Sequence, residues 1–170
     1  ENNKTKRNEK TQLIFPRKNI ILKNIKYKYP DQEKEILKNI NLEIKANVAT
    51  GFVGFTGSGK TTLIDIILGL LDPQNGEMKI DGKSIKNQDL YSWQQSIGYV
   101  PQNIYIADET IESNIAFGFK KNEIDKDKIQ RVTKISEIHE FIMNELPNKY
   151  QTIVGERGIR LSGGQKQRIG

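Results

Sequence analysis

The chain has 170 residues, 35% of them hydrophobic and 8% aromatic, a length that suits one domain with its own core and is too short for two ordinary domains. It contains no cysteine, which excludes disulfide bonds, thiolate metal sites and cysteine nucleophiles. The formal net charge is +6, but the lysines are spread out and no run of about 18 apolar residues occurs, so we expect neither a nucleic-acid partner nor a bilayer-spanning segment.

The polar N-terminal stretch, residues 1–12, is predicted to be a linker. It holds the one tight basic cluster of the chain, Lys4-Thr5-Lys6-Arg7. It begins at Glu1 with neither an initiating methionine nor a signal peptide, which suggests a piece of a longer polypeptide.

Alternating apolar and polar residues predict antiparallel strands in the first half of the chain. Residues 13–29 indicate one or two half-buried strands, and residues 36–44 indicate another after the turn at Pro30-Asp31. Residues 77–80 alternate in the same way and are followed by an Asp81-Gly82 turn.

Two short apolar segments, residues 48–53 and 97–100, are predicted to be buried strands. The first runs directly into a glycine-rich loop. Residues 61–71 then follow as a helix that is apolar almost all round and is ended by Asp72-Pro73.

After residue 107 the pattern becomes helical. Asp108 or Thr110 would cap a short helix that runs through Ile115. Residues 125–143 carry apolar side chains three and four positions apart, which predicts one amphipathic helix or a pair, closed by Pro147. His139 is expected to be an ordinary helix residue.

The glycine-rich loop carries the pattern G-x-x-x-x-G-K-T, set by Gly54, Gly59, Lys60 and Thr61. Glycines allow successive backbone N–H groups to turn inward and form an anion-binding nest at a helix N-terminus. Lys60 would contact the β- and γ-phosphates, and the Thr61 hydroxyl would complete the coordination of Mg²⁺. We therefore predict a site for MgATP. The further loop residues expected to contact the nucleotide are Thr56, Gly57, Ser58 and Thr62.

A second motif, Leu161-Ser162-Gly163-Gly164-Gln165, is followed by Lys166-Gln167-Arg168. Two further elements are Gln102 in Tyr99-Val100-Pro101-Gln102 and the run Val154-Gly155-Glu156-Arg157-Gly158. With the phosphate loop, and in this order and spacing, these residues make nearly the whole chain resemble the nucleotide-binding domain of ABC transporters, exporter type.

The resemblance implies an α/β fold: a P-loop NTPase core with an antiparallel β subdomain and an inserted α-helical subdomain, truncated at the C-terminus. Residues 1–18 would be a linker from an upstream membrane domain. Residues 19–106 would form the ATP-binding core with the antiparallel β subdomain, and residues 107–170 the helical subdomain with the signature. Asn47 stands where the family usually has glycine, but asparagine tolerates left-handed backbone geometry.

The resemblance also implies that two such domains pack head to tail, with each ATP between one phosphate loop and the partner's signature. The signature residues expected to contact that nucleotide are Ser162, Gly163, Gly164 and Gln165. Gln102 would contact Mg²⁺ and the attacking water, so that Gln102 and Lys60 are the catalytic candidates. Tyr29 would stack on the adenine, with the neighbouring Tyr27 as the alternative.

The expected function is that of an ATP-hydrolysing motor domain of an exporter, at the cytoplasmic face of the (inner) cell membrane. Its partners would be a second copy of the domain and a transmembrane domain of the same polypeptide. The sequence resembles bacterial exporters or flippases of lipid-linked sugars or lipids, so such molecules are the expected cargo. A soluble ABC protein is the alternative, whereas a P-loop kinase does not explain the signature. The family's acidic strand and catalytic glutamate should follow Gly170, so these residues alone are expected to be hydrolytically incompetent with an incomplete core.

Overall fold

The computed structural model of the chain describes residues 12–156 and 159–170, so most of the predicted N-terminal linker lies outside the described residues. The chain forms two compact units that divide between Gly98 and Tyr99. Each unit has a hydrophobic core of its own. The expected division of the chain at residues 106 and 107 remains a prediction.

The first unit contains an antiparallel sheet of four strands, β1 (Asn19–Tyr27), β2 (Leu37–Lys45), β3 (Asn75–Ile80) and β4 (Lys83–Ser84). Their order is β2-β1-β3-β4, and every neighbouring pair is antiparallel. The strands predicted from residues 13–29, 36–44 and 77–80 are therefore confirmed, although β1 begins only at Asn19. A single continuous strand forms there rather than two.

A tight turn joins β3 to β4 at Asp81-Gly82. Asp81 and Gly82 have left-handed φ angles of 51° and 84°. A two-residue β-hairpin turn with positive φ at both positions favours the sequence Asp-Gly. The Asp81 carboxylate also accepts hydrogen bonds from the backbone N–H groups of Arg17, Lys18 and Asn19, at 2.8, 2.7 and 3.0 Å. These donors hold the pKa of Asp81 below its ordinary value, because they favour the charged form. The turn thus fastens the segment that enters β1.

Helix α1 (Lys60–Ile67) packs one face into the core of the first unit. It ends four residues before the predicted end at Leu71, because Gly69 adopts a left-handed φ of 70°. The N–H of Leu70 then bonds to the carbonyl of Asp65 at 2.8 Å, and the N–H of Gly69 bonds to the carbonyl of Ile66 at 3.0 Å. This pair of bonds is a Schellman motif, which satisfies carbonyls that the helix end leaves open.

Helix α2 (Asn87–Gln94) was not predicted from the sequence. Its residues are mostly polar, and Lys86 at its N-cap is not a residue that usually begins a helix. The carboxylate of Asp89 reaches back to the N–H of Lys86 at 3.1 Å and stabilises the first turn. Trp93 is the buried anchor of α2, and its indole N–H donates to the carbonyl of Ile67 at 2.7 Å. The helix is therefore attached to the C-terminal end of α1.

The two predicted buried strands, residues 48–53 and 97–100, are wrong. Among the described residues, neither segment forms a strand or a bridge. Val53 is 95% exposed, and only Phe52 in the first segment packs on the core. A short apolar strand of this kind is stabilised by hydrogen-bonded neighbours on its edges, and the described residues supply no such neighbour.

The second unit is helical. Its α-helices in the described residues are α3 (Ile111–Ile115), α4 (Lys126–Ile135), α5 (His139–Glu145) and α6 (Gly163–Ile169). Thr110, and not Asp108, caps α3, since its hydroxyl accepts from the N–H of Ser113 at 3.1 Å. Residues 125–143 form the predicted pair of helices, separated where Glu137 adopts a φ of 53°. His139 is the first residue of α5, as an ordinary helix residue would be, and the core packs around Ile111, Ile138, Ile142, Leu146, Val154, Leu161 and Ile169.

Candidate functional site

The phosphate loop is an irregular segment that becomes helical at Lys60. Gly57 and Gly59 adopt left-handed φ angles of 80° and 88°, which glycine accepts without strain. The N–H of Ser58 bonds to the carbonyl of Phe55 at 3.2 Å and closes a turn within the loop. Of the two glycines that set the motif, Gly59 has a left-handed backbone and Gly54 does not.

Close packing explains why residue 59 is a glycine beyond its backbone angle. A Cβ atom on Gly59 would lie 2.9 Å from the Leu37 Cδ2 atom and 3.1 Å from the Ile36 Cγ2 atom. Leu37 belongs to the core, where it is 3% exposed. The loop is thus held against the start of β2 at its helical end.

The side chain of Lys60 folds back over the loop. Its ammonium donates to the carbonyls of Gly54 and Phe55, at 2.9 and 2.8 Å. An ammonium has three N–H donors, so one remains for an anion beyond these two bonds within the described residues. Two backbone carbonyls therefore hold the positive charge at the loop.

The N-terminus of α1 offers backbone donors at the same place. The first N–H groups of an α-helix have no partner within the helix, and Gly59 at the N-cap has no side chain to cap them. Within the described chain, no acidic residue lies in the first turn to compete with an anion. The uncapped turn, the left-handed glycines and the lysine together form a site with the chemistry to bind a polyphosphate.

The two candidate base platforms differ in exposure. Tyr27 is 6% exposed and belongs to the core, whereas Tyr29 is half-buried. Their rings meet edge to face with centroids 5.1 Å apart. The Tyr29 hydroxyl lies 3.1 Å from the Thr62 Oγ1 atom in the first turn of α1. This geometry favours Tyr29 over Tyr27 as a surface for a base, and its role remains a prediction.

The signature begins α6 in the second unit. The Ser162 hydroxyl accepts from the N–H of Gln165 at 3.3 Å, and the Gln165 side chain accepts from the N–H of Ser162 at 2.8 Å. This reciprocal pair is a capping box. A Cβ atom added at Gly163 or Gly164 would meet nothing within 4 Å among the described residues. The two glycines therefore lie open, and packing within the unit does not explain them.

Gln102 is exposed and lies in an irregular segment of the second unit. The phosphate loop, Lys60 and Tyr29 belong to the first unit, whereas Gln102 and the signature belong to the second. The structure thus brings the phosphate-loop candidates together with Tyr29 in one unit. The roles of Gln102 and of the signature residues remain predictions.

The contact that Asp108 makes with the segment of residues 154–156 was not predicted from the sequence. Its carboxylate accepts from the N–H of Glu156 at 2.6 Å, and Val154 donates its N–H to the carbonyl of Glu109 at 2.9 Å. Gly155 between them has a φ of 107°, which only glycine adopts readily. Gly155 was the signal in the sequence that could have indicated this tight backbone contact. Arg157 and Gly158 of the same run lie outside the described residues.

No group of three or more histidine, cysteine, aspartate or glutamate side chains suited to a metal occurs in the described part of the chain. Within residues 12–156 and 159–170, no helix is long and apolar enough to cross a membrane.

Comparison with known proteins supports the family. A family model described as ABC transporter matches residues 37–170. The ABC transporter ATP-binding protein YfiB of Bacillus subtilis is 39% identical over 150 residues, which are 88% of this chain and 26% of that protein. A putative multidrug export ATP-binding/permease protein of Staphylococcus aureus is 42% identical over 146 residues, which are 86% of this chain and 25% of that protein.

Among solved structures, a bacterial Atm1-family ABC exporter with ATP bound superimposes with a TM-score of 0.79 at 32% identity. The match covers 94% of this chain and 28% of the exporter chain. The chain thus spans about a quarter of the length of the relatives it matches. The predicted α/β fold with an antiparallel sheet is confirmed, and the chain belongs to the ABC transporter family.

Proposed function

We propose that the chain is the ATP-binding domain of an exporter, and that it binds the phosphates of MgATP at the loop before α1. The observation that carries this proposal is the phosphate site itself: left-handed Gly57 and Gly59, an uncapped first turn of α1, and the ammonium of Lys60 held over the loop. These groups present backbone donors and one fixed positive charge to an anion.

Mg²⁺ would be held mainly by the nucleotide. Mg²⁺ prefers oxygen ligands and usually keeps phosphates and waters in its coordination sphere. The exposed Thr61 hydroxyl, next to the phosphate loop, is a neutral oxygen donor of this kind, and we propose the amide oxygen of Gln102 as a second ligand. A hydroxyl oxygen next to the phosphate site suits a metal that arrives bound to its triphosphate. Bound Mg²⁺ would neutralise charge that develops on the phosphates.

The signature would serve a nucleotide bound to a second copy of the chain. Its capping box satisfies the N–H groups of Ser162 and Gln165, while Gly163 and Gly164 stay open to a close approach. ATP held between the phosphate loop of one copy and the signature of the other would join the two domains head to tail. ATP binding would then close the dimer, and hydrolysis would open it again.

The membrane partner is inferred from the relatives. The Staphylococcus aureus protein is named as an export ATP-binding/permease protein, and this chain covers 25% of it. We infer that the chain is joined to a transmembrane domain and that it works at the cytoplasmic face of a cell membrane, where ATP is available. The cycle of closing and opening would move the exported substrate.

Nucleotide titration of the full-length polypeptide tests the phosphate site. Lys60→Ala should raise the Kd of MgATP at least tenfold, because hydrogen bonds to charged groups contribute about 1.5–3 kcal/mol and this change removes the fixed cation. Lys45→Ala is the matched control, since Lys45 is an exposed lysine at the opposite end of β2 from the residues that contact the loop. Equal affinities for the two variants would refute the proposed site.

A further inference from the structure

A hydrogen bond joins the candidate base platform to the helix that carries the phosphate site. The Tyr29 hydroxyl and the Thr62 Oγ1 atom are 3.1 Å apart. Tyr29 lies in the segment after β1, and Thr62 lies in the first turn of α1, so the bond connects parts of the chain that are 33 residues apart. Both residues belong to the first unit.

The side chains of the adjacent threonines Thr61 and Thr62 differ in exposure to solvent. Thr61 is exposed, whereas Thr62 is 5% exposed and faces the core. A buried hydroxyl needs a partner, and in a helix threonine often bonds back to the carbonyl four residues earlier. Here the partner of the hydroxyl is Tyr29 instead. Its polar atom is thus directed to the tyrosine.

The ring of Tyr29 has two supports. Its hydroxyl end is held by Thr62, and its ring meets Tyr27 edge to face, with centroids 5.1 Å apart at an interplanar angle of 90°. Tyr27 is itself fixed in the core at 6% exposure. A ring held at both places keeps one orientation relative to the first turn of α1.

We propose that Thr62 is a positioning residue for the nucleotide base: it holds the ring of Tyr29 at a set place relative to the phosphate site. This inference rests on the proposed binding of ATP and goes beyond it, because it gives Thr62 a task directed at the base and mediated by Tyr29. A ligand that fits both the ring and the loop would bind without first ordering the tyrosine, which lowers the ordering cost of binding.

The inference predicts different results for a ligand with a base and a ligand without one. In the full-length polypeptide, Thr62→Val should raise the Kd of MgATP by roughly two- to tenfold, the worth of one hydrogen bond. The Kd of magnesium tripolyphosphate, which has no base, should stay unchanged, because the Thr62 hydroxyl is bonded to Tyr29 and a phosphate contact of residue 62 would come from its backbone N–H, which the substitution keeps. Tyr29→Phe keeps the ring and removes the same bond, so it should give the same pair of results.

Two further variants make the test specific. Thr62→Ser keeps the hydroxyl and should retain MgATP affinity close to that of the unmodified protein. The double variant of Thr62→Val and Tyr29→Phe should be no weaker than either single variant, because one bond is lost only once. Tyr29→Phe does not disturb the buried threonine, so the inference remains testable if Thr62→Val folds poorly.

Two outcomes would overturn the inference. If Thr62→Val weakens tripolyphosphate as much as MgATP, Thr62 acts as a direct phosphate ligand. If the two single variants add in the double variant, the bond between them does not position the ring. Tyr29→Ala distinguishes a failure of the Thr62 inference from a failure of Tyr29 as the base-stacking residue. An unchanged ratio of MgATP affinity to tripolyphosphate affinity in this variant would show that Tyr29 does not bind the base. The proposed phosphate site would not be affected by that result.

Discussion

Alanine at Gly59 should destabilise the first unit by combining two effects. The left-handed φ of 88° is unfavourable for any residue with a Cβ atom, by roughly 1–2 kcal/mol. The new methyl would also lie 2.9 Å from the Leu37 Cδ2 atom and 3.1 Å from the Ile36 Cγ2 atom. Extra volume in a packed core costs about 1–3 kcal/mol, so we expect a total loss of about 2–5 kcal/mol for Gly59→Ala.

Two other glycines separate the two effects. Gly57 has a similar φ of 80°, but an added Cβ atom would meet nothing within 4 Å among the described residues. Gly57→Ala should therefore show only the backbone effect of about 1–2 kcal/mol. Gly51 has neither a left-handed φ nor a described atom within 4 Å of an added Cβ atom, so Gly51→Ala should change stability by less than about 0.5 kcal/mol.

Urea unfolding of the 170-residue chain, followed by the fluorescence of Trp93, measures these differences. Trp93 is the single tryptophan of the chain, is 4% exposed, and bonds to the carbonyl of Ile67 at the end of α1. Its emission therefore reports on the helix that follows the loop. Equal losses for Gly59→Ala and Gly57→Ala would refute the packing of the loop against the start of β2.

Two further changes test the signature and the β3–β4 turn. Ser162→Arg should leave MgATP binding by a single domain intact and block the closed dimer, because the large cationic side chain fills the surface that meets the second copy. Loss of MgATP binding by the monomer would contradict an ATP site shared between the phosphate loop of one copy and the signature of the other. Asp81→Asn should keep the turn, since asparagine tolerates a left-handed φ. The lowered pKa of Asp81 gives a stabilisation that is present above the ordinary pKa of aspartate and is lost as the pH falls through the lowered pKa. Asp81→Asn should therefore lower the urea midpoint near neutral pH and lose less stability on acidification than the unmodified chain does; identical acid profiles would contradict this.

Local chemistry made part of the fold predictable from the sequence. The alternation in residues 36–44 gave the face of β2 that packs on the core, because side chains alternate along a strand. The turn predicted at Asp81-Gly82 forms with φ angles of 51° and 84°, and Asn47, which stands where the resembling family usually has glycine, has a φ of 57°. In each case a short stretch of sequence was enough to indicate the local backbone.

Features that depend on distant partners were not predictable. Residues 48–53 have the composition of a buried strand, yet Val53 is 95% exposed, since strand formation requires neighbours that a single segment does not specify. Helix α2 is held by the contact of Trp93 with Ile67 across 26 residues. The predicted end of α1 was too late in the chain, because Pro73 was taken as the residue that ends the helix. Gly69 was overlooked, although a glycine directly after a helix is a local signal for its end.

The candidate site divides in the same way. The motif indicated a glycine-rich loop that leads into a helix, and the structure has Gly59 in a left-handed conformation directly before α1. It did not show that Lys60 is tied to the carbonyls of Gly54 and Phe55, or that Thr62 bonds to Tyr29. Those contacts arise from the three-dimensional fold, where residues far apart in the chain meet.

Amide hydrogen exchange with and without MgATP, resolved to single residues in the full-length polypeptide, tests the central claim most directly. If backbone N–H groups at the loop and the first turn of α1 bind the polyphosphate, the amides of residues 57–61 should become protected on nucleotide binding, and Lys60→Ala should reduce that protection. Saturating MgATP that leaves these amides exchanging as fast as before would contradict the account.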